Sequence, residues 1–290
     1  MRFSTCFLIL LFPFVSFSTK YYVSPAGNNS NNGSINAPWE TVQFGIDQLT
    51  AGDVLYLREG NYGEKVNVNV SGTAASRIII TNYQTEEAIL DGTGLNSQIA
   101  MIDLVNQDFV TIEGLTIRNN MMLDAQGIHV AGTCDGIELL GNKIYEINFS
   151  TNPNLPATPT RNAQSIIVYG TSGTDPITDL KINGNEIYNC MLGHSEALAV
   201  NGNVDGFEVI NNYVHDNTNI GIDIIGHEGT APANDQARNG LIKYNIVHDC
   251  VADYATSGGL YVDGGKDLIF ENNYSYRNGY GVEIGCENIN

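Results

Sequence analysis

The sequence predicts an all-β fold, a right-handed parallel β-helix, and two repeated features lead to this fold class. The first is a six-residue segment, apolar at its second and fourth positions, that is typical of a short strand. Its copies are residues 127–132, 165–170, 197–202, 221–226, 259–264 and 281–286. The second is an asparagine that follows a further apolar stretch. It occurs at Asn142, Asn185, Asn212, Asn245 and Asn273, at intervals of 43, 27, 33 and 28 residues. These intervals are too long for hairpins, and the segments lack the helical periodicity of a βαβ unit, so we predict a solenoid of parallel strands.

Two columns of like residues are expected to stack along this solenoid. Equivalent positions in successive coils lie about 4.8 Å apart. The asparagine column is therefore predicted to form a hydrogen-bonded ladder that satisfies buried backbone groups. A second column, with aromatic rings, is predicted to stack on a different face. It consists of Tyr145, Tyr188, His215, His248 and Tyr276.

The start of the chain is typical of an exported protein. Arg2 precedes an apolar run over residues 7–17, and small residues follow, which indicates a signal peptide over residues 1–18. The run is short for a membrane span, so we expect none in the mature chain. Residues 19–290 are predicted to form one β-helix domain, with a capping helix at residues 38–49 and a truncated last coil. We expect a secreted monomer, extracellular or periplasmic.

The net charge limits the partners that this protein can bind. A formal charge of −19 disfavours nucleic acid, whose binding requires lysine and arginine. It disfavours anionic membranes for the same reason. An acidic polysaccharide would need a divalent cation between it and the protein, so such a substrate would imply Ca²⁺.

The cysteines outside the leader are predicted to be free at two positions. The chain after the leader has an even number of cysteines, which permits disulfides in an exported protein: Cys134, Cys190, Cys250 and Cys286. Cys190 and Cys250 share one column but lie two coils apart, about 9.6 Å, whereas a disulfide requires less than about 7 Å. We therefore expect buried thiols at both positions.

Acidic residues gather toward the last coils, on the strand face that points away from the core. Alternation along the repeated segments directs their third and fifth positions into one long groove. The outward positions with polar chemistry are His129, Tyr169, Asn201, Asp223, Tyr261, Asp263 and Glu283. Asp223 and Asp263 are expected one coil and two residues apart, about 8 Å between Cα atoms. That separation suits the acid and base of an inverting glycosidase, and the same acids with Glu196 would also suit Ca²⁺.

Further candidate residues lie beside these strands. His227 and Glu228 follow the strand of Asp223 and precede an insertion over residues 229–238; a second insertion covers residues 148–162. Insertions in solenoids often form the binding face. A neutral imidazole at His227 is suited to general-base catalysis. Arg238 and Lys266 are the nearest basic side chains in the sequence.

The chain resembles the secreted β-helix proteins of pectate lyase family nine and related polysaccharide lyases. The similarity rests on YVSPAG at residues 22–27, GDVLYL at residues 52–57, GNY at residues 60–62, and the asparagine-marked coils. The resemblance implies β-elimination on a uronic-acid polysaccharide, with Ca²⁺ neutralising the substrate carboxylate and a basic side chain removing the α-proton. On this interpretation Glu196, Asp223 and Asp263 would hold Ca²⁺, and Arg238 or Lys266 would act on the proton.

Three functions follow from these observations. The first is a polysaccharide lyase whose groove binds sugar through Glu196, Asn201, Glu228, Tyr261 and Glu283. The second is an inverting glycoside hydrolase that uses Asp223 and Asp263. The third is a non-catalytic carbohydrate-binding or adhesin solenoid, because a scaffold does not determine a reaction.

Overall fold

The computed structural model describes residues 18–255 and 257–288. The predicted signal peptide lies outside these residues, except for Ser18. Among the residues that are described, no helix is long and apolar enough to cross a membrane.

Short strands account for most of the regular structure. In chain order they are β1 Lys20–Val23, β2 Val54–Leu57, β3 Gly60–Tyr62, β4 Val66–Val68, β5 Ile78–Asn82, β6 Ala88–Asp91, β7 Ala100–Val105, β8 Val110–Glu113, β9 Thr116–Met121, β10 Ala125–Gly132, β11 Glu138–Leu140, β12 Lys143–Asn148, β13 Ala163–Gly170, β14 Ile177–Asn183, β15 Glu186–Tyr188, β16 Glu196–Gly202, β17 Val204–Ile210, β18 Tyr213–His215, β19 Ile220–Ile225, β20 Arg238–Lys243, β21 Ile246–His248, β22 Gly258–Asp263, β23 Ile269–Glu271, β24 Tyr274–Tyr276 and β25 Tyr280–Gly285. One helix, α1, covers Val42–Asp47.

The strands form three parallel sheets, and successive coils add one strand to each. The first sheet has the order β1-β2-β5-β8-β11-β14-β17-β20-β23. The second is β3-β6-β9-β12-β15-β18-β21-β24, and the third is β4-β7-β10-β13-β16-β19-β22-β25. The predicted parallel β-helix is therefore confirmed.

In-register pairing stacks aliphatic side chains along the solenoid axis. In the third sheet, Val130 pairs with Val168, Val168 with Val200, and Val200 with Ile224. All four are fully buried. The second and fourth positions of the first five repeated segments thus line the core, as their alternation predicts, whereas Val282 and Ile284 of the last segment are exposed.

The predicted asparagine ladder is present and fully connected. The side-chain amide of Asn142 donates to the carbonyl oxygen of Asn185 at 3.1 Å, and Asn185 to Asn212 at 3.0 Å. Asn212 donates to Asn245 at 3.0 Å, and Asn245 to Asn273 at 2.9 Å. Each of the first four also donates to a backbone carbonyl of the preceding coil. The ladder therefore satisfies polar groups that turns would otherwise bury unpaired.

The aromatic column and the free thiols are also confirmed. Ring centroids lie 4.9 Å apart between Tyr145 and Tyr188, and 5.2 Å between Tyr188 and His215. The stack continues through His248 to Tyr276. Cys134, Cys190 and Cys250 are free and buried, and Cys286 is free and partly exposed.

The helix is shorter than the predicted range of residues 38–49. Trp39 takes an extended conformation instead, because its backbone bonds with Tyr22 and Ser24 and its ring stacks on Tyr21 at 4.9 Å. The Glu64 carboxylate accepts the backbone N–H groups of Val42 and Gln43 at 2.7 and 3.0 Å, which satisfies the start of the helix. The capping role of α1 stays a prediction.

Replacing Asn212 tests the ladder. The Asn212→Ala change removes two donors and the acceptor that receives both the backbone and side-chain N–H of Asn185. Because these groups are buried, we expect the free energy of unfolding to fall by about 3 kcal/mol. Urea denaturation followed by circular dichroism measures it. The control is Asn183→Ala, an exposed asparagine of β14, which should cost less than about 0.5 kcal/mol. Equal costs for the two variants would refute the structural role of the ladder.

Candidate functional site

The outer face of the third sheet is covered over its central coils. Ile167 and Ala199, whose side chains point away from the main core, are fully buried and form a second cluster with Ile225, against which Tyr169 packs. The open groove predicted from alternation is therefore wrong at these positions, because other segments cover the sheet.

Residues 227–237, which we call the cover segment, fold back over earlier coils. The Thr230 hydroxyl donates to the Asn201 side-chain oxygen at 2.8 Å. The Asn234 amide donates to the Gly173 carbonyl at 2.9 Å. Asp235 stabilises the turn by accepting the backbone N–H groups of Gly229 and Ala231 at 2.6 and 3.0 Å. The insertion predicted over residues 229–238 thus builds the wall of the site.

Beside this wall, four acidic side chains lie close enough for their charges to influence one another. Glu196 begins β16, Asp223 lies in β19, Asp263 ends β22, and Glu228 lies in the cover segment. Asp223 pairs with Tyr261, so Asp263 follows one coil and two residues later, in the predicted register. The structure therefore brings together Glu196, Asp223, Glu228, Tyr261 and Asp263, and we call the four acids the carboxylate cluster.

The four carboxyl groups differ in their access to solvent. Asp223 is 2% exposed, and its Oδ1 atom has no hydrogen-bond partner among the described residues. Asp263 is 4% exposed, and its Oδ1 accepts the Glu287 backbone N–H at 2.7 Å. Glu196 is partly exposed and Glu228 is exposed. Asp223 and Asp263, the pair predicted to be catalytic, thus lie beneath the acids that reach the surface.

Burial and mutual repulsion favour the protonated form of these acids. Burial, and then the charge of Glu228, raises the pKa of Glu196 to about 8. Burial, followed by the charges of Glu196 and Asp263, raises the pKa of Asp223 well above its ordinary value. Burial also raises the pKa of Asp263, and the partial burial of Glu228, a residue that is exposed as a whole, raises its pKa as well.

Hydrogen bonds moderate the shift at the last two acids. The Asn201 amide donates to Glu228 Oε2 at 2.7 Å, which opposes the rise in the pKa of Glu228. The Glu287 N–H opposes the rise in the pKa of Asp263, and the nearby His227 does so as well. Asn201 is itself buried, so it fixes the orientation of the Glu228 carboxylate.

Two tyrosines border the carboxylate cluster. The Tyr261 hydroxyl donates to Glu287 Oε1 at 3.0 Å, and burial raises the pKa of Tyr261. Burial, with the charges of Glu196 and Glu228, also raises the pKa of Tyr169. Sequence reasoning placed Tyr169 in the groove without selecting it as a site residue, and it missed Glu287. Tyr169 was detectable, since it pairs with Asn201 in one column; Glu287 was not, since it lies in a turn.

Of the other predicted residues, two lie near the cluster. His227 is exposed in the cover segment, where its backbone N–H donates to the Asp235 carbonyl at 2.7 Å. Glu283 lies in β25, where it pairs with Tyr261 of the preceding coil, and it is partly exposed.

The predicted basic residues lie elsewhere. Arg238 begins β20 of the first sheet, where its Nε atom donates to Asp205 Oδ2 at 3.1 Å. Lys266 is exposed, with its Nζ atom 3.8 Å from Asp267. The chain has already turned from the third sheet to the first at both positions. The structure therefore does not bring Arg238 or Lys266 to the carboxylate cluster.

The predicted Ca²⁺ ligands do not form a metal site in this arrangement. Within residues 18–255 and 257–288, no group of three or more His, Cys, Asp or Glu side chains is placed to hold a metal ion. Glu196, Asp223 and Asp263 are therefore not placed as a Ca²⁺ site, and we derive no reaction step through the ion.

Comparison with known families identifies the class of this solenoid. Residues 126–290 match the model of the right-handed β-helix region, which gives the hand of the coil. Residues 21–207 match the more specific model of the Pel9A-like right-handed β-helix region. The chain belongs to this Pel9A-like family, as its resemblance to pectate lyase family nine predicted.

Two relatives are similar in sequence. The chain is 35% identical over 280 residues to the uncharacterized protein YwoF of Bacillus subtilis (strain 168), covering 92% of this chain and 58% of YwoF. It is 39% identical over 95 residues to pectate lyase PEL9 of Emericella nidulans, covering 32% of this chain and 23% of that protein. The chain thus spans less than two thirds of either relative.

Solved structures share the fold at low sequence identity. The lacto-N-biosidase of Eubacterium ramulus, a GH136 enzyme, superposes with a TM-score of 0.63 at 15% identity, covering 89% of this chain and 56% of that one. A rhamnogalacturonan lyase superposes with a TM-score of 0.53 at 15% identity, covering 89% and 63%. These similarities concern the fold alone.

The raised pKa of Glu196 predicts a pH-dependent stability. Between its ordinary value and about 8, the folded state keeps a proton that the unfolded state releases, so stability falls as pH rises. Glu196→Gln removes this loss. We expect the variant to gain at least about 1.4 kcal/mol over the wild type between pH 5 and pH 8, equivalent to one pKa unit.

Urea unfolding at both pH values measures this gain. The matched control is Glu208→Gln, an exposed glutamate of the first sheet, for which we expect the same difference from wild type at both pH values. A Glu196→Gln difference that did not grow with pH would contradict the assigned protonation.

Proposed function

We propose that this protein is a secreted polysaccharide-cleaving enzyme that hydrolyses a glycosidic bond at the carboxylate cluster, with Glu196 as the acid and Glu228 as the partner carboxylate. The observation that carries this proposal is the meeting of two solvent-reaching glutamates beside two buried acids. Glycoside hydrolases commonly use a pair of carboxyl groups in different protonation states.

Glu196 is suited to the role of acid. It keeps access to solvent, and the pKa of about 8 makes it protonated near neutral pH. The buried Asp223 beside it also favours its protonated form, which limits the negative charge under the substrate. Glu196 donates its proton to the glycosidic oxygen as the bond to the leaving sugar breaks.

Glu228 is suited to the role of partner. It is exposed, and the Asn201 amide holds its Oε2 atom. In the hydrolysis of the bond, the Glu228 carboxylate accepts a proton from water while the water oxygen bonds to the anomeric carbon. Glu228 then releases this proton to solvent, and Glu196 takes one up, so that both groups return to their starting states. Asn201, predicted to bind substrate, is in this proposal a positioning residue.

A lyase is the second candidate, favoured by the 39% identity to a segment of pectate lyase PEL9. In this reaction, protonated Glu196 would pair with the uronate carboxylate, and a neighbouring base would remove the α-proton. His227 would be that base, since it lies beside Asp263 and is exposed. The electron pair of the broken C–H bond forms a carbon–carbon double bond, the bond from the sugar carbon to the glycosidic oxygen breaks, and that oxygen takes a proton from solvent.

Two assays on one incubation separate the candidates. Polygalacturonate, alginate, chondroitin and neutral polysaccharides are supplied, each with Ca²⁺ and with a chelator. New reducing ends without ultraviolet absorbance support hydrolysis. A product that absorbs through a new double bond would replace the hydrolase by the lyase. Silence in both assays with sugar binding retained would support a non-catalytic module.

The acid and its partner should respond differently to mutation. Glu196→Gln should lower kcat on polysaccharide at least about 100-fold. It should lower kcat much less on an aryl glycoside of the same sugar, whose leaving group needs little protonation. Glu228→Gln should lower kcat on both substrates. Glu208→Gln is the control and should keep wild-type kcat. An equal loss on both substrates for Glu196→Gln would refute its role as the acid.

A further inference from the structure

Three tyrosines form an aromatic corner on the first sheet, a different face of the solenoid from the carboxylate cluster. The rings of Tyr22 and Tyr56 stack with centroids 5.3 Å apart and planes 24° apart. The ring of Tyr83 stands nearly perpendicular to both, at 73° and 83°, with each centroid distance 5.5 Å. We call these three residues the tyrosine corner.

Strand alternation places two of these rings outside the core. Tyr22 pairs with Tyr56 between β1 and β2. Their neighbours Val23, Leu55 and Leu57 are fully buried, so the tyrosines point outward. Both are partly exposed, as is Tyr83.

The loop that carries Tyr83 is held rigidly. Arg58 and Glu86 form a two-pronged ion pair with distances of 2.7 and 2.9 Å. The Asn82 amide donates to the carbonyls of Gln84 and Glu86 at 3.1 and 3.0 Å. The Arg58 guanidinium also lies over the Tyr83 ring, 5.0 Å from its centroid. The perpendicular ring is therefore in place before any ligand binds, which lowers the entropic cost of binding.

The corner opens into a trough along the solenoid axis. Its concave surface encloses about 740 Å³. Tyr22, Tyr56, Thr81 and Glu113 follow one another in register along its floor, which spans about 14 Å over three coil spacings. The shape suits an extended chain.

The aromatic column of the second sheet serves as an internal comparison. There the rings of Tyr145, Tyr188 and His215 lie nearly parallel, so that Tyr188 has a ring on each face. Stacking of equivalent residues in successive coils explains such a column, and it also explains why the ring of Tyr22 stacks on that of Tyr56. It does not explain a perpendicular ring fixed by an ion pair at the edge of a trough.

We propose that the tyrosine corner and its trough bind a neutral segment of a polysaccharide chain. The ligand class rests on the proposed function, which this site deepens as a second contact with the same substrate. Aromatic faces pack against the C–H faces of sugar rings, and the rim offers polar groups for hydroxyls. The residues that line the trough carry one cation, Lys20, and one anion, Glu113. On a chain of net charge −19, such a trough has no cationic excess to hold a uronate.

Affinity gel electrophoresis tests this site without turnover. The probes are soluble arabinoxylan, galactan and mixed-linkage β-glucan, with polygalacturonate as the acidic comparator. At least one neutral probe should retard the protein, and Tyr56→Ala and Tyr83→Ala should each raise its Kd roughly tenfold. Tyr276→Ala is the control, because Tyr276 ends the other aromatic column; it should keep the wild-type Kd.

Further measurements make each outcome decisive. Circular dichroism checks that the variants fold. Because Tyr83→Ala changes a side chain in a loop, this variant still tests the site if Tyr56→Ala unfolds. Glu196→Gln should be retarded as the wild type is, so that failure of cleavage and failure of this site are distinguishable. Absence of retardation by every neutral probe, retardation unchanged in Tyr83→Ala, or equal weakening in Tyr276→Ala would each overturn the proposal.

Discussion

The in-register pairing of parallel strands is the constraint on which the rest of the structure depends. Each coil places like positions directly above one another, so a residue type that is favourable once is repeated. Asparagine repeats because its amide both donates and accepts along the axis, as in the bond of 3.0 Å from Asn185 to Asn212. Aliphatic residues repeat because they exclude water together. A column of like charges would be the unfavourable counterpart, since unit charges in a poorly solvated site repel strongly.

The acids of the carboxylate cluster do not share one column, but their like charges are unfavourable for the same electrostatic reason, and this makes the cluster informative. Asp223 is buried with an unpartnered oxygen, and the neighbouring acids raise its pKa further. A scaffold stabilised by ladders along its length can tolerate this local cost. Strain of this kind is common at functional sites, where protonation states are set by the surroundings rather than by the residue type. This cost is the physical reason for which we propose the cluster as the site of the reaction.

The fold could be predicted from the sequence because its determinants are local and periodic. The spacing of Asn142 and Asn185 predicted the coiled repeat, and the alternation of apolar residues predicted which side chains of β10 and β13 point into the core. The site could be predicted only in part. Asp223 and Asp263 fell in the correct register, but their burial depends on the cover segment, whose path has no period. The same reason explains Arg238: proximity in sequence to His227 did not reveal that the chain had already passed to another sheet. The orientation of the Tyr83 ring depends on a turn and an ion pair, so the columns of equivalent residues could not predict it.

The cover segment has a consequence for how such proteins diverge. Its bonds to earlier coils are few and come from its own side chains, such as Thr230 to Asn201 and Asn234 to the Gly173 carbonyl. The asparagine ladder makes no bond to it, and only its last residue, Ala237, belongs to the main core. The length and composition of residues 227–236 can therefore change while the solenoid remains intact, so that the wall beside the carboxylate cluster is separable from the frame that carries it.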